Sequence, residues 1–362
     1  MMEQPSLIVA GGGTGGHILA GIAIAEAWKK KWPEAPILFV GARGALEEKL
    51  VPRHGIPLRL LDLGSLNRVS LGRKLKTMIQ LPLALILSMV ILLRARPRCV
   101  IGVGGYASGP LVLMARLVGW IWGARVGILE QNAVPGFTNR VLGKFAHRIL
   151  AAFPGIEKQF PGGKVTVTGN PTRSSMKPLP SSIENAEPFT IFIFGGSQGA
   201  LGINTLVLDA IPYLADLKGK LRFVHQTGEK DYERVAEGHR KLGTGAVVEK
   251  FIYDMPKYYQ EASIVICRAG SSSLSELAAV KRASILIPLP TAADDHQRKN
   301  AEIFSNVGAS QILVQTGAKG QDLAKMIQDL YKDRAKIQAM ESKVASFYRP
   351  DAASEVIAAL NS

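Results

Sequence analysis

Short apolar runs alternate with glycine-rich turns and segments of helical periodicity along the whole chain. This alternation is typical of parallel α/β units, in which each buried strand is followed by a helix. In the first half of the chain it predicts strands at 7–10, 37–40, 100–103, 126–129 and 147–151. In the second half it predicts strands at 190–194, 222–226, 247–251, 264–267 and 283–288. Each set is large enough to form an open sheet of its own.

A stretch rich in proline, serine and asparagine, 167–188, separates the two sets and lacks long apolar periodicity. We therefore predict an α/β protein with two Rossmann-like, doubly wound domains that face a central cleft, one over 1–168 and one over 169–348. The last residues, 349–362, have a helical pattern in which Asp351 occupies the N-cap position. Periodicity alone does not tell which domain this helix joins.

Four glycine-rich loops follow predicted strands: 11–17 (GGGTGGH), 103–109 (VGGYASG), 195–200 (GGSQGA) and 268–276 (RAGSSSLSE). Such loops expose backbone N–H groups at helix N-termini, where the helix dipole favours anions, and they can bind phosphate without a metal. Several of them together predict two phosphate-bearing ligands that meet in a cleft. His17 directly follows the first loop, where an imidazole can act as a general base, although a structural histidine is the more common case.

The first loop also has the glycine spacing of a dinucleotide site, through Gly11, Gly13 and Gly16. In that fold the second strand ends in an acid that binds the ribose. Here the second strand is followed by the sequence GAR, 41–43, so NAD is disfavoured. Arg43 leaves an NADP-dependent oxidoreductase open.

The net charge of +15 is concentrated in the first half of the chain. Between 68 and 148 there are twelve Lys or Arg residues and a single acid, Glu130. Such a surface attracts polyanions, and without a nucleic-acid motif it favours phosphorylated substrates or anionic lipid over nucleic acid. The two cysteines, Cys99 and Cys267, lie in separate apolar runs and indicate reduced thiols. Since the N-terminus has no signal-peptide pattern, we expect a cytoplasmic protein.

Residues 77–93 (TMIQLPLALILSMVILL) are almost all apolar and have basic clusters on both sides. A membrane-spanning helix needs about 20 apolar residues, and this segment is shorter and contains Gln80 and Pro82. We predict instead that part of it is buried and that, with the basic residues of 73–98, it binds an anionic membrane surface. Trp120 and Trp122 fit either that surface or the core.

Eight short motifs occur in the order found in one family: GGTGGH, GVGGYASGP, EQNAVPGFTNR, TGNPTR, FGGSQGA, KFIYDM, RAGSSSLSE and DDHQRKNA. Together they span nearly the whole chain, which resembles the MurG family of inverting glycosyltransferases in the glycosyltransferase B superfamily. The resemblance implies transfer of N-acetylglucosamine from UDP-N-acetylglucosamine to the 4-hydroxyl of the muramoyl sugar of lipid I, giving lipid II for peptidoglycan. It also implies an acceptor domain first, a donor domain second, and a last helix, 349–362, that returns to the first domain.

For this reaction our hypothesis is that His17, at the mouth of the first loop, is the catalytic base. The implied donor-binding residues are Thr14, Gly15, Gly16, Asn132, Arg173, Ser197, Ile252, Ser271, Glu276, His296 and Gln297. Among them Glu276 would bind the ribose hydroxyls, Ile252 would pair its backbone with uracil, and Ser197 would help to hold the diphosphate. The acceptor's pyrophosphate would lie on 13–16 and 104–106, and the implied acceptor-binding residues are Gly13, Gly104, Gly105, Tyr106 and Glu130. The family commonly has histidine where this chain has Leu129, so no role carries over to that position.

The implied reaction is a direct displacement without metal or cofactor, in which helix dipoles and N–H groups stabilise the departing UDP. The implied location is the cytoplasmic face of the plasma membrane, as a peripheral protein. The implied partners are UDP-N-acetylglucosamine, lipid I, the anionic membrane surface and cell-wall synthesis proteins, with no nucleic acid. Three other hypotheses stay open: a glycosyltransferase acting on another lipid such as diacylglycerol, an NADP-dependent oxidoreductase, and a non-catalytic lipid-binding scaffold.

Overall fold

The computed structural model describes residues 6–44, 46–63, 71–160, 162, 164–182 and 187–362, with the backbone alone for 71–79. The chain divides into two compact units, one of 1–173 with 349–362 and one of 174–348. Each unit is built on one parallel sheet. This confirms the prediction of two Rossmann-like α/β units. Residues 183–186 of the predicted linker lie outside the described residues.

The first unit has strands and helices that alternate along the chain. The strands are β1 (Leu7–Gly11), β2 (Ile37–Ala42), β3 (Leu58–Leu61), β4 (Cys99–Gly104), β5 (Arg125–Glu130), β6 (Arg148–Ala151) and β7 (Val165–Val167). The helices are α1 (Gly15–Lys31), α2 (Glu47–Leu50), α3 (Leu71–Ala95), α4 (Ser108–Val118) and α5 (Phe137–Leu142). The sheet order is β3-β2-β1-β4-β5-β6-β7, with every neighbouring pair parallel.

The second unit repeats this alternation. Its strands are β8 (Phe189–Phe194), β9 (Leu221–Gln226), β10 (Val247–Glu249), β11 (Ile264–Cys267), β12 (Ser284–Leu286) and β13 (Gln311–Ile312). Its helices are α6 (Leu201–Ala210), α7 (Tyr232–Lys241), α8 (Met255–Glu261), α9 (Ser271–Val280), α10 (His296–Asn306), α11 (Gly320–Lys332) and α12 (Arg334–Ala345). The sheet order is β10-β9-β8-β11-β12-β13, again parallel throughout.

All ten predicted strands are present, and three strands were not predicted. The central strands β1, β4 and β8 are buried along their whole length, so their sequences are continuous apolar runs. The three missed strands β3, β7 and β13 lie at the sheet edges, are two to four residues long, and are partly exposed. These three strands lack the apolar run that identified the others.

The last helix, α13 (Ala352–Asn361), packs on α1 and on the first sheet. Its Leu360 side chain fills the space beside Gly127, where a Cβ would lie 2.5 Å from Leu360 Cδ2. Asp351 occupies the N-cap position, but its side chain makes no capping hydrogen bond, so the predicted side-chain cap is absent. The backbone carbonyl of Asp351 instead accepts the N–H of Glu355 at 2.8 Å.

The predicted membrane segment forms most of α3, which continues through Pro82. Among the described residues, no helix is long and apolar enough to cross a membrane. The buried side of α3 carries the small residues Ala84 and Ser88, whereas Leu83 and Ile86 are each 53% exposed. Some of the larger apolar side chains of this helix therefore face solvent, while Leu92 is buried.

Candidate functional site

The two glycine loops of the first unit lie side by side at the carboxyl ends of β1 and β4, where the strand order reverses. Ligands of open α/β sheets bind at such a switch point. The N–H of Gly12 donates to the Gly104 carbonyl at 3.2 Å. Gly105 has a φ of +85°, and a Cβ there would lie 2.1 Å from the Gly12 oxygen, so only glycine fits. The structure thus brings 13–17 and 104–106 together, with Tyr106 half-buried beside them.

His17 is half-buried in the first turn of α1, whose N-cap is Thr14. Its Nδ1 atom lies 3.3 Å from the Gly12 carbonyl oxygen. Because a carbonyl oxygen can only accept, Nδ1 carries the proton and Nε2 has the lone pair of the neutral ring. Nε2 is directed to the second glycine loop, where a Cβ on Gly104 would lie 2.8 Å from it. This protonation pattern is the one that a general base requires.

A buried carboxylate that sequence reasoning missed, Glu47, binds the first loop. Its side chain is 0% exposed, its Oε1 accepts the Ala42 N–H at 2.8 Å, and its Oε2 accepts the Gly13 N–H at 3.2 Å. The Gly13 amide therefore already has an anionic acceptor, which argues against the predicted contact of this amide with a pyrophosphate. No sequence signal separated Glu47 from Glu48, since both are adjacent acids and burial alone distinguishes them.

The carboxyl group of Glu130 closes the turn that follows β5. Oε1 accepts the backbone and side-chain N–H groups of Asn132 at 2.9 and 3.2 Å. Oε2 accepts the Gly136 N–H at 3.1 Å and Nδ2 of Asn139 at 2.8 Å. Burial raises the pKa of Glu130 above its ordinary value, and the N–H donors oppose that rise. Glu130 thus holds Asn132 in place, and this geometry argues against its predicted contact with the acceptor.

In the second unit the GGSQGA loop, 195–200, follows β8 and exposes part of Ser197. Gln226, at the end of β9, donates from Nε2 to the Gly196 carbonyl at 3.0 Å. Its Oε1 accepts the N–H of Ile252 at 2.8 Å. The loop and Ile252 therefore lie together, but a uracil that uses the Ile252 N–H has to displace Gln226. The predicted pairing of the Ile252 backbone with uracil would otherwise use the Ile252 carbonyl. Sequence reasoning gave no role to Gln226.

The RAGSSSLSE motif begins α9 immediately after β11, beside β8 at the switch point of the second sheet. Ser271 is the first residue of the helix, and its neighbouring amides lie at the positive end of the helix dipole. Glu276, in the second turn, is 7% exposed and accepts a hydrogen bond from Tyr259 Oη at 3.1 Å. Loop 195–200 and the start of α9 thus follow neighbouring strands, and both have the backbone geometry from which anion binding was predicted.

His296 and Gln297 begin α10, after a turn in which Asp294 and Asp295 have a φ of +52°. Oε1 of Gln297 accepts the Leu289 N–H at 3.0 Å, and Nδ1 of His296 donates to a backbone carbonyl of the same turn at 2.7 Å. Both side chains are therefore held by backbone groups that precede α10, a helix that packs on α9. Arg173 is the last residue of the first unit, and its place beside the nucleotide stays a prediction.

Comparison with known proteins assigns the chain to a family. Residues 7–151 match the glycosyltransferase family 28 N-terminal domain, and residues 190–356 match its C-terminal domain. The UDP-N-acetylglucosamine–N-acetylmuramyl-(pentapeptide) pyrophosphoryl-undecaprenol N-acetylglucosamine transferase of Myxococcus xanthus is 42% identical over 352 residues, 97% of this chain and 91% of that protein. The transferase of the same name from Syntrophus aciditrophicus is 41% identical over 97% of this chain and 96% of that protein.

A solved structure agrees with these sequence matches. The crystal structure of Acinetobacter baumannii MurG aligns with a TM-score of 0.80 and 28% identity, covering 99% of both chains. The chain therefore belongs to glycosyltransferase family 28 and, within it, to the MurG family.

Proposed function

We propose that this chain transfers N-acetylglucosamine from UDP-N-acetylglucosamine to the 4-hydroxyl of the muramoyl sugar of lipid I, and so makes lipid II for peptidoglycan. The observation that carries the proposal is the 42% identity, over 97% of the chain, to a transferase whose name states this transfer. The two switch-point sites support it, because donor and acceptor each carry a diphosphate. The NADP hypothesis gains no support, since Arg43 is paired with Asp62, Nε to Oδ1 at 2.5 Å.

The donor nucleotide is proposed to bind the second unit. Loop 195–200 and the start of α9 offer backbone N–H groups and a helix dipole for its diphosphate. Glu276 suits the ribose hydroxyls because a carboxylate accepts hydrogen bonds and Tyr259 orients one of its oxygens. Gln297 and Asn132 suit the sugar hydroxyls because an amide both donates and accepts.

The acceptor is proposed to bind the first unit, with its pyrophosphate on the amides of Thr14, Gly15 and Gly16 and of 104–106. We place Thr14, Gly15 and Gly16 with the acceptor rather than with the donor because they belong to this unit. Nε2 of His17 takes the proton of the 4-hydroxyl while that oxygen bonds to the anomeric carbon. The anomeric C–O bond to UDP breaks on the opposite face, and its electron pair leaves with the diphosphate. Helix N-termini and N–H groups stabilise the charge that develops there. The configuration at the anomeric carbon is inverted.

We further propose a peripheral position on the cytoplasmic face of the membrane that carries lipid I. Three helices of the first unit, α3, α4 and α5, are packed in sequence, and large apolar residues are exposed on them and on the turns that follow α4 and α5. These residues, which we call the apolar face, are Leu81, Leu83, Ile86, Leu87, Leu93, Leu117, Trp120, Ile121, Phe137, Val141 and Phe145. Exposed basic residues accompany them, among them Arg94, Arg96, Arg140 and Lys144. An apolar face with basic neighbours suits an anionic membrane surface.

The proposal is tested by UDP release from UDP-N-acetylglucosamine in the presence of a lipid I analogue, of diacylglycerol, or of neither. We expect release with the lipid I analogue alone, and the same rate in EDTA. Release with diacylglycerol alone would assign another lipid acceptor. Vesicle binding without UDP release would indicate a scaffold, and loss of turnover in EDTA would contradict the metal-free mechanism.

A further inference from the structure

The peptide group between Gly12 and Gly13 lies between the carboxylate of Glu47 and the imidazole of His17. Its N–H, on Gly13, donates to Glu47 Oε2 at 3.2 Å. Its carbonyl, on Gly12, accepts from His17 Nδ1 at 3.3 Å. A single amide thus connects the two side chains. Hydrogen bonds in such a chain polarise one another, since a bond donated by the N–H increases the negative charge on the carbonyl oxygen.

The surroundings of Glu47 are shaped around its side chain. A Cβ on Gly12 would lie 1.8 Å from Glu47 Oε1, and a Cβ on Gly41 would lie 2.6 Å from Glu47 Cγ. Both oxygens accept N–H groups, which is the pattern of an ionised carboxylate. With 0% exposure the group is shielded from water, so its effect on the neighbouring peptide is not screened by solvent.

We propose that Glu47 is a positioning residue for His17, acting through the Gly12–Gly13 peptide. It fixes the ring with the proton on Nδ1 and stabilises the imidazolium that forms when Nε2 takes the acceptor's proton. The proton stays on His17, the peptide keeps its own proton, and Glu47 stays ionised. Carboxylates that orient a histidine are common in hydrolytic and metal sites, and here a peptide group is inserted between the two side chains. The inference rests on the proposed function of His17 as the base.

The kinetic test replaces Glu47 by glutamine. The variant has an acceptor oxygen at only one of the two positions where Oε1 and Oε2 each receive an N–H, its NH₂ group faces the other N–H, and the negative charge is lost. For Glu47→Gln we expect kcat at saturating donor and lipid I analogue to fall about tenfold or more, with the donor KM unchanged, since the proposed donor site is in the other unit. The matched control is Glu48→Gln, on the same helix, whose Oε1 accepts the Gly44 N–H at 2.6 Å and which should keep the wild-type kcat.

A spectroscopic test reads the ring directly. In protein labelled with ¹⁵N-histidine, at about pH 8.5 and so above the usual histidine pKa of about 6.5, nitrogen shifts report which ring atom carries the proton. We expect Nδ1–H for His17 in the wild type and in Glu48→Gln, and a larger Nε2–H fraction in Glu47→Gln. Thermal unfolding and UDP binding establish that each variant is folded.

The outcomes separate this inference from the proposed function. An Nε2–H ring in the wild type overturns the inference even if Glu47→Gln does not fold. An unchanged ring in folded Glu47→Gln also overturns it, whether or not kcat falls, because the residue would then be structural only. Wild-type transfer by His17→Ala would instead overturn the proposed base.

Discussion

Three buried glutamates, Glu47, Glu130 and Glu276, differ in what their carboxyl groups contact. These contacts indicate a different role for Glu276 than for the other two. Both oxygens of Glu47 and of Glu130 receive N–H donors from the backbone or from a nearby amide. Glu276 accepts a hydrogen bond from Tyr259 on one oxygen and lies in the second turn of α9. The first two shape loops of the first unit, whereas Glu276 is the buried acid for which we propose contact with a ligand.

The proposed ribose contact makes a prediction for Glu276→Ala. A hydrogen bond to a charged group contributes about 1.5–3 kcal/mol, so we expect UDP affinity to fall about 10- to 100-fold. The wild type should prefer UDP over 2′-deoxy-UDP, and the variant should bind both alike, as measured by calorimetry. A general loss of folding would weaken both ligands together and leave their ratio unchanged. A variant that still prefers UDP would show that another group binds the 2′-hydroxyl.

The proposed base makes a prediction for His17→Ala. Removing a general base costs about 10²- to 10⁴-fold in rate, so kcat should fall by that order while donor KM changes little. The measurement is UDP release at saturating donor and acceptor. His54→Ala is the control, because His54 is a partly exposed histidine of the same unit that pairs with Glu26 at 2.8 Å. Near-wild-type rates for His17→Ala would contradict the assignment.

At the scale of elements, the structure shows which side of α3 is buried and which is exposed, and the periodicity of its sequence did not. The segment is apolar on all sides, so its sequence is compatible with burial on any side. In the structure the side with Ala84, Ser88 and Leu92 is buried, and the opposite side contributes to the apolar face. Trp120, which the sequence left undecided, is 72% exposed and belongs to that face, whereas Trp122 donates from Nε1 to the Pro97 carbonyl at 3.0 Å.

This orientation predicts the effect of the double variant Leu83→Ser with Ile86→Ser. Full burial of one such side chain is worth about 1.5–3 kcal/mol, so we expect binding to anionic vesicles to weaken about tenfold or more. Sedimentation with vesicles measures it, and turnover of a water-soluble acceptor analogue should not change. The control is Val307→Ser with Val314→Ser, which removes exposed apolar groups from the second unit. Equal vesicle binding by both double variants would contradict the proposed membrane surface.

At the scale of the whole molecule, a buried chain of polar side chains connects three elements of the second unit. His225 of β9 bonds to Asn204 of α6 at 3.0 Å and to His239 of α7 at 3.2 Å. His239 bonds in turn to Thr244 at 3.0 Å. Burial lowers the pKa of His225 to about 3 and that of His239 to about 4. The folded unit therefore holds both rings neutral where an unfolded chain would protonate them.

These shifts predict acid destabilisation of the second unit. The folded pKa values lie below the unfolded value of about 6.5. The free energy of unfolding of this unit is therefore highest above that pH and decreases as pH falls toward about 3, because the unfolded chain binds protons that the folded unit does not. Two protons bound on unfolding give a slope of up to about 2.7 kcal/mol per pH unit. Calorimetry from about pH 7 to 4 measures it. The variant His225→Asn with His239→Gln should be less stable at neutral pH but show a flatter slope, and His54→Asn should keep the wild-type slope.

The sequence by itself determined the α/β class, two units, ten strands and the glycine loops, because buried parallel strands must be apolar runs and tight anion-binding turns must contain glycine. The order of the motifs also indicated the family, to which the comparisons assign the chain. These properties are local, so neighbouring residues along the chain are sufficient to indicate them.

Tertiary structure alone decided which groups meet. The Gly12–Gly13 peptide lies between Glu47 and His17 because β1 and β2 are neighbours in the sheet, which brings residues 34 positions apart into contact. For the same kind of reason, Gln226 accepts the N–H of Ile252, 26 positions along the chain. A hydrogen bond depends on distance and direction in space, and the spacing of residue types along a chain does not specify either.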